Sequence, residues 1–194
     1  MNKIKKYILN LKSTKIRELS KIILEEKYDE FEKYINLFYE DRKKYLADIL
    51  KDREVFGSDP KNEDIYTALK NFAVYNNKGV FYYKADIFDK DAEWNRTAEM
   101  FDILFQDMLS QEIILDILRM CFFTDEKYSA GLFFDFISGV LEKNNLKMYF
   151  WNDDSDLLLF FILMKDIRIK YMNFSEFLSN SETGSKSGIY SVKK

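Results

Sequence analysis

The chain has 194 residues, of which 47% are hydrophobic and 17% aromatic, with one proline, one cysteine and no histidine. This apolar content suits a folded protein with a sizeable core and is not typical of a disordered chain. The absence of histidine excludes Ser-His-Asp and Cys-His nucleophile pairs and an imidazole general base. A single cysteine excludes an internal disulfide and a structural zinc site, which needs several Cys or His ligands.

Charge is distributed unevenly along the chain. Residues 85–160 carry 16 acidic and 6 basic residues, a net charge of -10, whereas residues 1–84 carry a net +4 and residues 161–194 a net +3. Such asymmetry bears on binding partners and association rates rather than on fold. The longest uncharged apolar run, Leu157–Met164, is far shorter than a membrane span. We therefore expect a cytoplasmic protein, and its excess of Lys over Arg is associated with AT-rich bacterial genomes.

The N-terminal half is predicted to be helical. Apolar residues at spacings of three and four predict helix from Thr14 to Arg53. Within this stretch, Lys27–Glu30 is either a turn between two helices or part of one long helix. The segment Phe56–Pro60 contains the only proline and predicts a break in the chain.

A further helix and a strand follow this break. Asn62 or Asp64 is suited to cap a helix that runs to Tyr75. Gly79 is suited to a left-handed position at the end of that helix. The β-branched and aromatic residues of Val80–Lys84 then predict a strand.

The C-terminal half is predicted to contain helices and then strands. The helices are expected at about residues 93–109, 110–122 and 124–143, with Asn144-Asn145 ending the last; the first two could also be one helix. Strands are predicted at Leu146–Trp151 and Leu157–Met164, with Met148 and Phe150 sharing a face with residues 158, 160 and 162. A short buried helix capped by Asp154 or Ser155 is the alternative for residues 155–164. Alternation over residues 167–171 indicates another strand, and residues 175–178 a last helical turn.

These elements predict a mostly helical α+β fold, with a helical N-terminal half followed by a small, largely antiparallel sheet packed with helices. We expect one compact domain over residues 1–178, with a helical part at 1–76 and an α+β part at 77–178. The tail at 179–194 is rich in Ser, Gly, Lys and Thr and is predicted to be disordered. No glycine-rich turn follows a strand, so no phosphate-binding loop and no cofactor are predicted.

Two acidic clusters are the candidate functional features. The first cluster is Asp86, Asp89, Asp91 and Glu93, followed by Trp94, and it comes directly after the predicted first strand. Carboxylates there are suited to hold Mg²⁺ or Mn²⁺ for phosphodiester cleavage. However, no catalytic lysine follows at a short strand spacing, since Lys84 precedes the first Asp, and the pattern is not that of a calcium loop. A solvated acidic loop and a partner-binding patch are the other interpretations.

The second cluster is Asp153, Asp154 and Asp156, preceded by Trp151 and Asn152. Asn, Asp and Ser are ordinary turn residues because their side chains bond nearby backbone. The functional interpretation is an acidic loop with Trp151 as a binding anchor, since tryptophan is favoured at binding hot spots.

Two other features are interpreted as structural. Cys121 lies at an apolar helix end, where a free cysteine is usually buried and unreactive. The basic N-terminal stretch, from Lys3 to Arg17, lacks the sequence pattern of a nucleic-acid-binding motif and is interpreted as a solvated helix face. No catalytic residue and no metal ligand are therefore assigned.

The function we expect is that of a non-catalytic binding module. Its acidic surface would neutralise a basic protein partner, as bacterial immunity or inhibitor proteins do with nuclease toxins. Direct contacts with nucleic acid or membranes are not expected, and the oligomeric state is left open. The alternatives are a divalent-metal-dependent enzyme that uses Asp86–Glu93, and a helical regulatory scaffold that dimerises through Thr14–Arg53.

Overall fold

The computed structural model describes residues 3–49, 65–83, 105, 108–122, 130–152, 156–167, 169 and 188–191. The chain divides into two compact units, Met1–Lys78 and Gly79–Lys194, which we call unit 1 and unit 2. This boundary lies within two residues of the predicted change from helical to α+β structure. The fold class is confirmed, since unit 1 is helical and unit 2 contains an antiparallel sheet with helices. The single domain over residues 1–178 stays a prediction.

Unit 1 consists of helices in its described part. They are α1 (Lys3–Leu24), a 3-10 turn (Glu25–Lys27), α2 (Tyr28–Glu40), α3 (Arg42–Ile49) and α4 (Ile65–Tyr75). Helix therefore begins well before Thr14. The break between the first two helices lies at Glu25–Lys27, where Glu25 has a φ of 50°. The predicted turn at Lys27–Glu30 is thus displaced by two residues towards the N terminus.

The core of unit 1 is aromatic. The ring of Phe31 lies 5.1 Å from that of Phe72 and 5.9 Å from that of Tyr34, centre to centre. These rings connect α2 with α4, and Leu19, Ile23 and other residues of α1 are buried with them. Aromatic pairs at such distances stabilise a core beyond the area that they bury.

A cap separates α2 from α3. Asp41 leaves the helical conformation, with a φ of -143°, and its carboxylate accepts a hydrogen bond of 3.1 Å from the amide of Lys44. This is the geometry of an aspartate N-cap, which satisfies one of the free amides in a first helical turn. The stretch predicted as continuous helix is therefore divided a second time.

Unit 2 is built on a four-stranded antiparallel sheet. Its strands are β1 (Val80–Tyr83), β2 (Leu146–Asn152), β3 (Leu157–Met164) and β4 (Gly188–Ser191), in the spatial order β1-β3-β2-β4. Met148 pairs with Ile162 and Phe150 with Phe160, which confirms the predicted shared face. Leu157–Met164 is a strand and not a helix, and it occupies an interior position of the sheet, where an all-apolar strand is covered on both faces.

Helices cover one face of this sheet. Helices α5 (Gln111–Phe122) and α6 (Ala130–Lys143) pack there, and Phe134 of α6 stacks on Phe160 of β3 with ring centres 4.6 Å apart. The buried cluster also includes Phe105, Ile117, Leu141, Met148, Phe150, Leu158 and Tyr190. The predicted helix at 93–109 lies outside the described residues except for helical Phe105 and residues 108–109, which form a turn.

The opposite face of the sheet is also buried. Tyr149, Leu159 and Phe161 are at most 2% exposed, and the rings of Tyr149 and Phe161 are 5.7 Å apart. Burial raises the pKa of Tyr149, whose hydroxyl donates a hydrogen bond of 3.3 Å to the carbonyl of Ile167. Alternate residues of β2 and β3 are therefore buried on opposite faces of the sheet. This burial on both faces explains why β3 contains almost no polar residues.

Two helices end in the same way, at asparagine pairs. The side chains of Asn76 and Asn144 donate to the carbonyls four residues earlier, at 2.9 and 3.0 Å. Asn77 and Asn145 have φ values of 56° and 59°. Asparagine tolerates this left-handed conformation, which ends a helix. The left-handed position predicted for Gly79 was therefore wrong, and Asn77 occupies it.

Glycine is required at position 79 for a different reason. A Cβ atom there would lie 2.7 Å from Cδ1 of Leu159 and 2.9 Å from the carbonyl oxygen of Phe160. The chain enters β1 so close to β3 that no side chain fits between them.

The C-terminal part differs from expectation in two places. Gly188–Ser191 pairs with β2 as an edge strand, with Ile189 and Tyr190 buried, so the predicted disorder over 179–194 is wrong for these residues. Ile167 and Ile169 are not part of a strand, while Tyr171, residues 175–178 and the rest of the tail lie outside the described residues.

Candidate partner-binding site

Four strand ends meet at one end of the sheet in unit 2. Tyr83, the last residue of β1, pairs with Leu157, the first residue of β3. On the other side, Asn152, the last residue of β2, pairs with Gly188, the first residue of β4. We call this end, together with Asp156, the turn end of the sheet. It is the end at which the chain passes from β2 into β3.

Both predicted acidic clusters continue from the turn end. The first cluster starts at Asp86, three residues after Tyr83 in the sequence, and the second ends at Asp156, the residue before Leu157. Whether the two clusters are neighbours could not be predicted from the sequence, because it depends on which strands pair. The pairing of β1 with β3 places Tyr83, three residues before the first cluster, opposite Leu157, which directly follows the second.

Of the predicted site residues, the structure describes Trp151 and Asp156. The side chain of Asp156 is exposed at the turn end. Trp151 lies in β2 and is 6% exposed, so its indole is part of the buried second face. Its predicted role as a binding anchor stays a prediction, and that role would require the indole to leave this position. The other predicted residues lie outside the described part of the chain; they are Asp86, Asp89, Asp91, Glu93, Trp94, Asp153 and Asp154.

The division into units coincides with the division of charge. Unit 2 has 19 acidic and 13 basic residues, a net charge of -6, whereas unit 1 has 14 acidic and 17 basic residues, a net charge of +3. The acidic character of the chain therefore belongs to the unit that carries the turn end.

Helix α5 carries an exposed leucine, Leu115, which was not predicted from the sequence. Ile113, Ile114 and Ile117 are buried in the core of unit 2, whereas Leu115 is 49% exposed and has exposed Asp116 beside it. The helical spacing of the three isoleucines could have predicted that Leu115 lies on the exposed side of α5. A single exposed leucine is ordinary on a protein surface, so no site is assigned to it.

Two of the four described residues with a perturbed pKa belong to a small ion cluster in unit 1. The ammonium of Lys78 lies 2.9 Å from a carboxylate oxygen of Glu25 and 2.8 Å from one of Glu26. The hydrogen bond from Lys78 lowers the pKa of Glu26. Burial opposes the charge of Lys78, but its bonds to both glutamates outweigh this effect and raise its pKa. This cluster joins the α1–α2 break to the end of α4.

A second polar network connects α1 with α2. Arg17 donates a hydrogen bond to the side chain of Asn36, and its guanidinium lies 3.7 Å from the carboxylate of Glu32. The same carboxylate accepts a hydrogen bond of 2.8 Å from the hydroxyl of Tyr28. Burial and the neighbouring Glu32 raise the pKa of Tyr28 to about 12. All of these shifts move the pKa away from neutrality, so they are not those of a general acid or base working near pH 7.

The described residues show neither a metal-binding cluster nor a membrane-spanning helix. Among the residues that the structure describes, no group of three or more Asp, Glu or Cys is placed to hold a metal ion. No described helix has the length and apolar character needed to cross a bilayer.

No protein-family model matches the chain, and no curated protein or solved structure matches it significantly.

Proposed function

We propose that the chain is a non-catalytic protein-binding module of the immunity or inhibitor type, which receives a basic protein partner, such as a nuclease toxin, at the turn end of unit 2. The observation that carries the proposal is the pairing of Tyr83 with Leu157. Because of this pairing, the chain enters one acidic cluster and leaves the other at neighbouring backbone positions.

Charge supports the proposal. A concentration of one sign of charge attracts an oppositely charged partner and raises association rates by roughly 10- to 1,000-fold at low salt. Unit 2 has a net charge of -6, and Asp156 is exposed at the turn end. The strands beneath the turn end are buried on both faces of the sheet.

The absence of histidine from the sequence and the pKa shifts of the described residues are consistent with binding rather than catalysis. The chain has no histidine, and the described pKa shifts leave Glu26 ionised, Lys78 charged and Tyr28 protonated at neutral pH. A binding module needs only surface shape and charge, both of which a small α+β unit can provide.

Co-purification from the native cells tests the proposal. The tagged full chain is captured at low and at high salt, and bound proteins are identified by mass spectrometry. It is compared with a variant in which the second acidic cluster is reversed: Asp153→Lys, Asp154→Lys and Asp156→Lys. The control has the same change in charge at exposed acidic residues elsewhere in unit 2: Glu112→Lys, Asp116→Lys and Asp166→Lys.

The proposal predicts a stoichiometric basic partner that is retained by the control, weakened by salt and lost from the turn-end variant. Equal loss from both variants would indicate a general charge effect and contradict the assignment of the site. If no partner is captured and millimolar Mg²⁺ or Mn²⁺ raises the melting temperature of the wild type, the metal-dependent enzyme replaces the binding module.

A further inference from the structure

The break between α1 and α2 is not encoded by the residues that form it. Residues 24–27 are Leu-Glu-Glu-Lys, all strong helix formers, and residues 3–40 contain no glycine or proline. Leu24 and Lys27 hold the capping positions of the 3-10 turn and of α2, and neither side chain makes a capping hydrogen bond. The next break differs, because the carboxylate of Asp41 caps α3. The local preference of residues 24–27 is therefore a continuous helix.

The break also contains backbone strain. Glu25 has a φ of 50°, in the left-handed region that costs free energy for residues with a Cβ atom. The other described non-glycine residues with a positive φ are Asn77 and Asn145, and asparagine tolerates this conformation. Bonds from Lys78 to Glu25 and Glu26 hold the break, together with the packing of the core of unit 1. Tertiary contacts thus bend a segment whose own preference is to be straight.

The buried sides of α1 and α2 would coincide if the two helices formed one straight helix. At about 100° per residue, the nine buried residues between positions 14 and 40 fall within about 180° of its circumference. Leu19 and Tyr28 mark the two edges of this half. Of the nine exposed residues in the same range, all except Glu30 lie on the other half. A straightened α1–α2 would therefore present one continuous, mostly apolar side, with a polar side opposite.

A second copy of the chain can provide the contacts that α1 would lose on straightening. Arg17 contacts Glu32 and Asn36, so α1 and α2 lie antiparallel. When two straightened copies lie antiparallel, α1 of each copy can pack against α2 and α4 of the other and remake the same contacts. Exchange of an identical element is a low-cost route to a dimer, and short connections under strain favour it. Only the contacts of residues 24–27 themselves differ between the two forms.

We propose that α1 is exchanged between two copies of the chain, with residues 24–27 as the hinge. In the exchanged dimer, α1 and α2 of each copy form one helix. Ile16, Leu19 and Ile23, which are buried in the single chain, then pack in unit 1 of the other copy. A different protein would have to reproduce the packing surface of α1, whereas a second copy does so by identity. The proposal concerns unit 1 alone and does not depend on a partner at the turn end.

Sedimentation velocity and an intrachain distance, measured by pulsed electron paramagnetic resonance, test the proposal on the full chain. Spin labels are attached at Lys15→Cys and Glu40→Cys, both exposed positions, in a Cys121→Ser background. The two labels lie less than about 20 Å apart in the bent form, because the axes of packed helices are about 8–10 Å apart. In one straight helix they lie about 37 Å apart, at about 1.5 Å per residue. The labelled chain is refolded at millimolar concentration with an excess of unlabelled chain, so that the measured distance is within one chain.

Two substitutions at position 25 form a matched pair. Glu25→Gly and Glu25→Ala both remove the carboxylate that bonds to Lys78, so they differ only in backbone preference. Glycine relieves the left-handed conformation and disfavours a continuous helix, and alanine does the reverse. Each of these effects contributes a factor of about five, and the dimer contains two hinges, so the dimer dissociation constants should differ on the order of 500-fold. Circular dichroism and thermal unfolding establish whether each variant is folded.

We expect a dimer fraction that rises with concentration, with the long intrachain distance in the dimer and the short one in the monomer. Glu25→Ala should dimerise more tightly than Glu25→Gly. Three results would overturn the proposal. The first is a dimer that keeps the short intrachain distance, which would indicate association through the surface; this comparison requires no hinge substitution. The second is a Glu25→Ala variant that stays monomeric after refolding at millimolar concentration. The third is an equal dissociation constant for the two folded variants.

Discussion

Replacement of Gly79 by alanine would test the close approach of β1 to β3. The new methyl carbon would lie 2.7 Å from Cδ1 of Leu159 and 2.9 Å from the carbonyl oxygen of Phe160. Unstrained carbon contacts are about 3.5–4.0 Å, so the overlap with Leu159 is about 1 Å. Leu159 is fully buried and the second obstacle is backbone, so neither group can move away freely.

The expected cost follows from these overlaps. Overpacking a core costs typically about 1–3 kcal/mol, and a backbone obstacle favours the upper end of that range. Alanine also reduces the entropy of the unfolded chain, which offsets about 0.4–1 kcal/mol. We therefore expect Gly79→Ala to lower the free energy of unfolding of unit 2 by about 2 kcal/mol.

Urea unfolding followed by tryptophan fluorescence and circular dichroism measures this loss as a lower midpoint with unchanged slope. Valine at position 159 lacks the Cδ1 atom, so Gly79→Ala should lower the free energy of unfolding less in a Leu159→Val background. The double-mutant cycle gives the interaction energy between positions 79 and 159. A Gly79→Ala variant that is more stable than the wild type would refute the steric argument, because that is the result for a glycine with space around it.

Other predictions concern the core, the helix ends and the ion cluster. Phe134→Ala should lower the free energy of unfolding of unit 2 by about 3–5 kcal/mol, measured by urea unfolding, because a buried ring stacked on Phe160 is lost; a loss below 1 kcal/mol would contradict this packing. Asn145→Gly should be neutral or stabilising and Asn145→Ala destabilising by about 1 kcal/mol, since position 145 has a φ of 59°; equal melting temperatures of the two variants would count against a left-handed residue there. The pKa of Glu26 is lower in the folded state than its ordinary value of 4.5. The ionised carboxylate therefore stabilises the folded state above pH 4.5, and this stabilisation is lost as the pH falls through the folded-state pKa. Urea midpoints at pH 3–6 should therefore depend less on pH in a Lys78→Met variant, and identical pH profiles would show that the cluster does not affect stability.

Much of the fold could be predicted because local patterns determine it. The apolar residues of Leu146–Trp151 and Leu157–Met164 predicted two antiparallel strands with a shared face, which the structure confirms. The helical stripe of α2 and the all-apolar sequence of β3 indicated which residues are buried. For residues 155–164 the sequence left a short buried helix as an alternative, and the pairing of β3 with β1 and β2 decides in favour of the strand.

What the sequence did not reveal depends on long-range contacts. Strand β4 is only four residues long in a polar tail, and it forms because β2 offers an unpaired edge. The left-handed residue at the end of α4 is Asn77, while Gly79 is required by β3, which is some 80 residues away in the chain. The position of the end of β1 beside the start of β3 likewise follows from strand pairing and from no local signal.

The central claim, that a basic partner associates through the turn end, is tested most directly by association kinetics. The captured partner is immobilised, and the association rate of the wild type is measured by surface plasmon resonance from 50 to 500 mM salt. It is compared with the charge-reversed turn-end variant and with the Glu112/Asp116/Asp166 control. The account predicts a rate that falls at least tenfold with salt in the wild type and control and is low throughout in the turn-end variant. Equal association rates for the two variants at every salt concentration would contradict it.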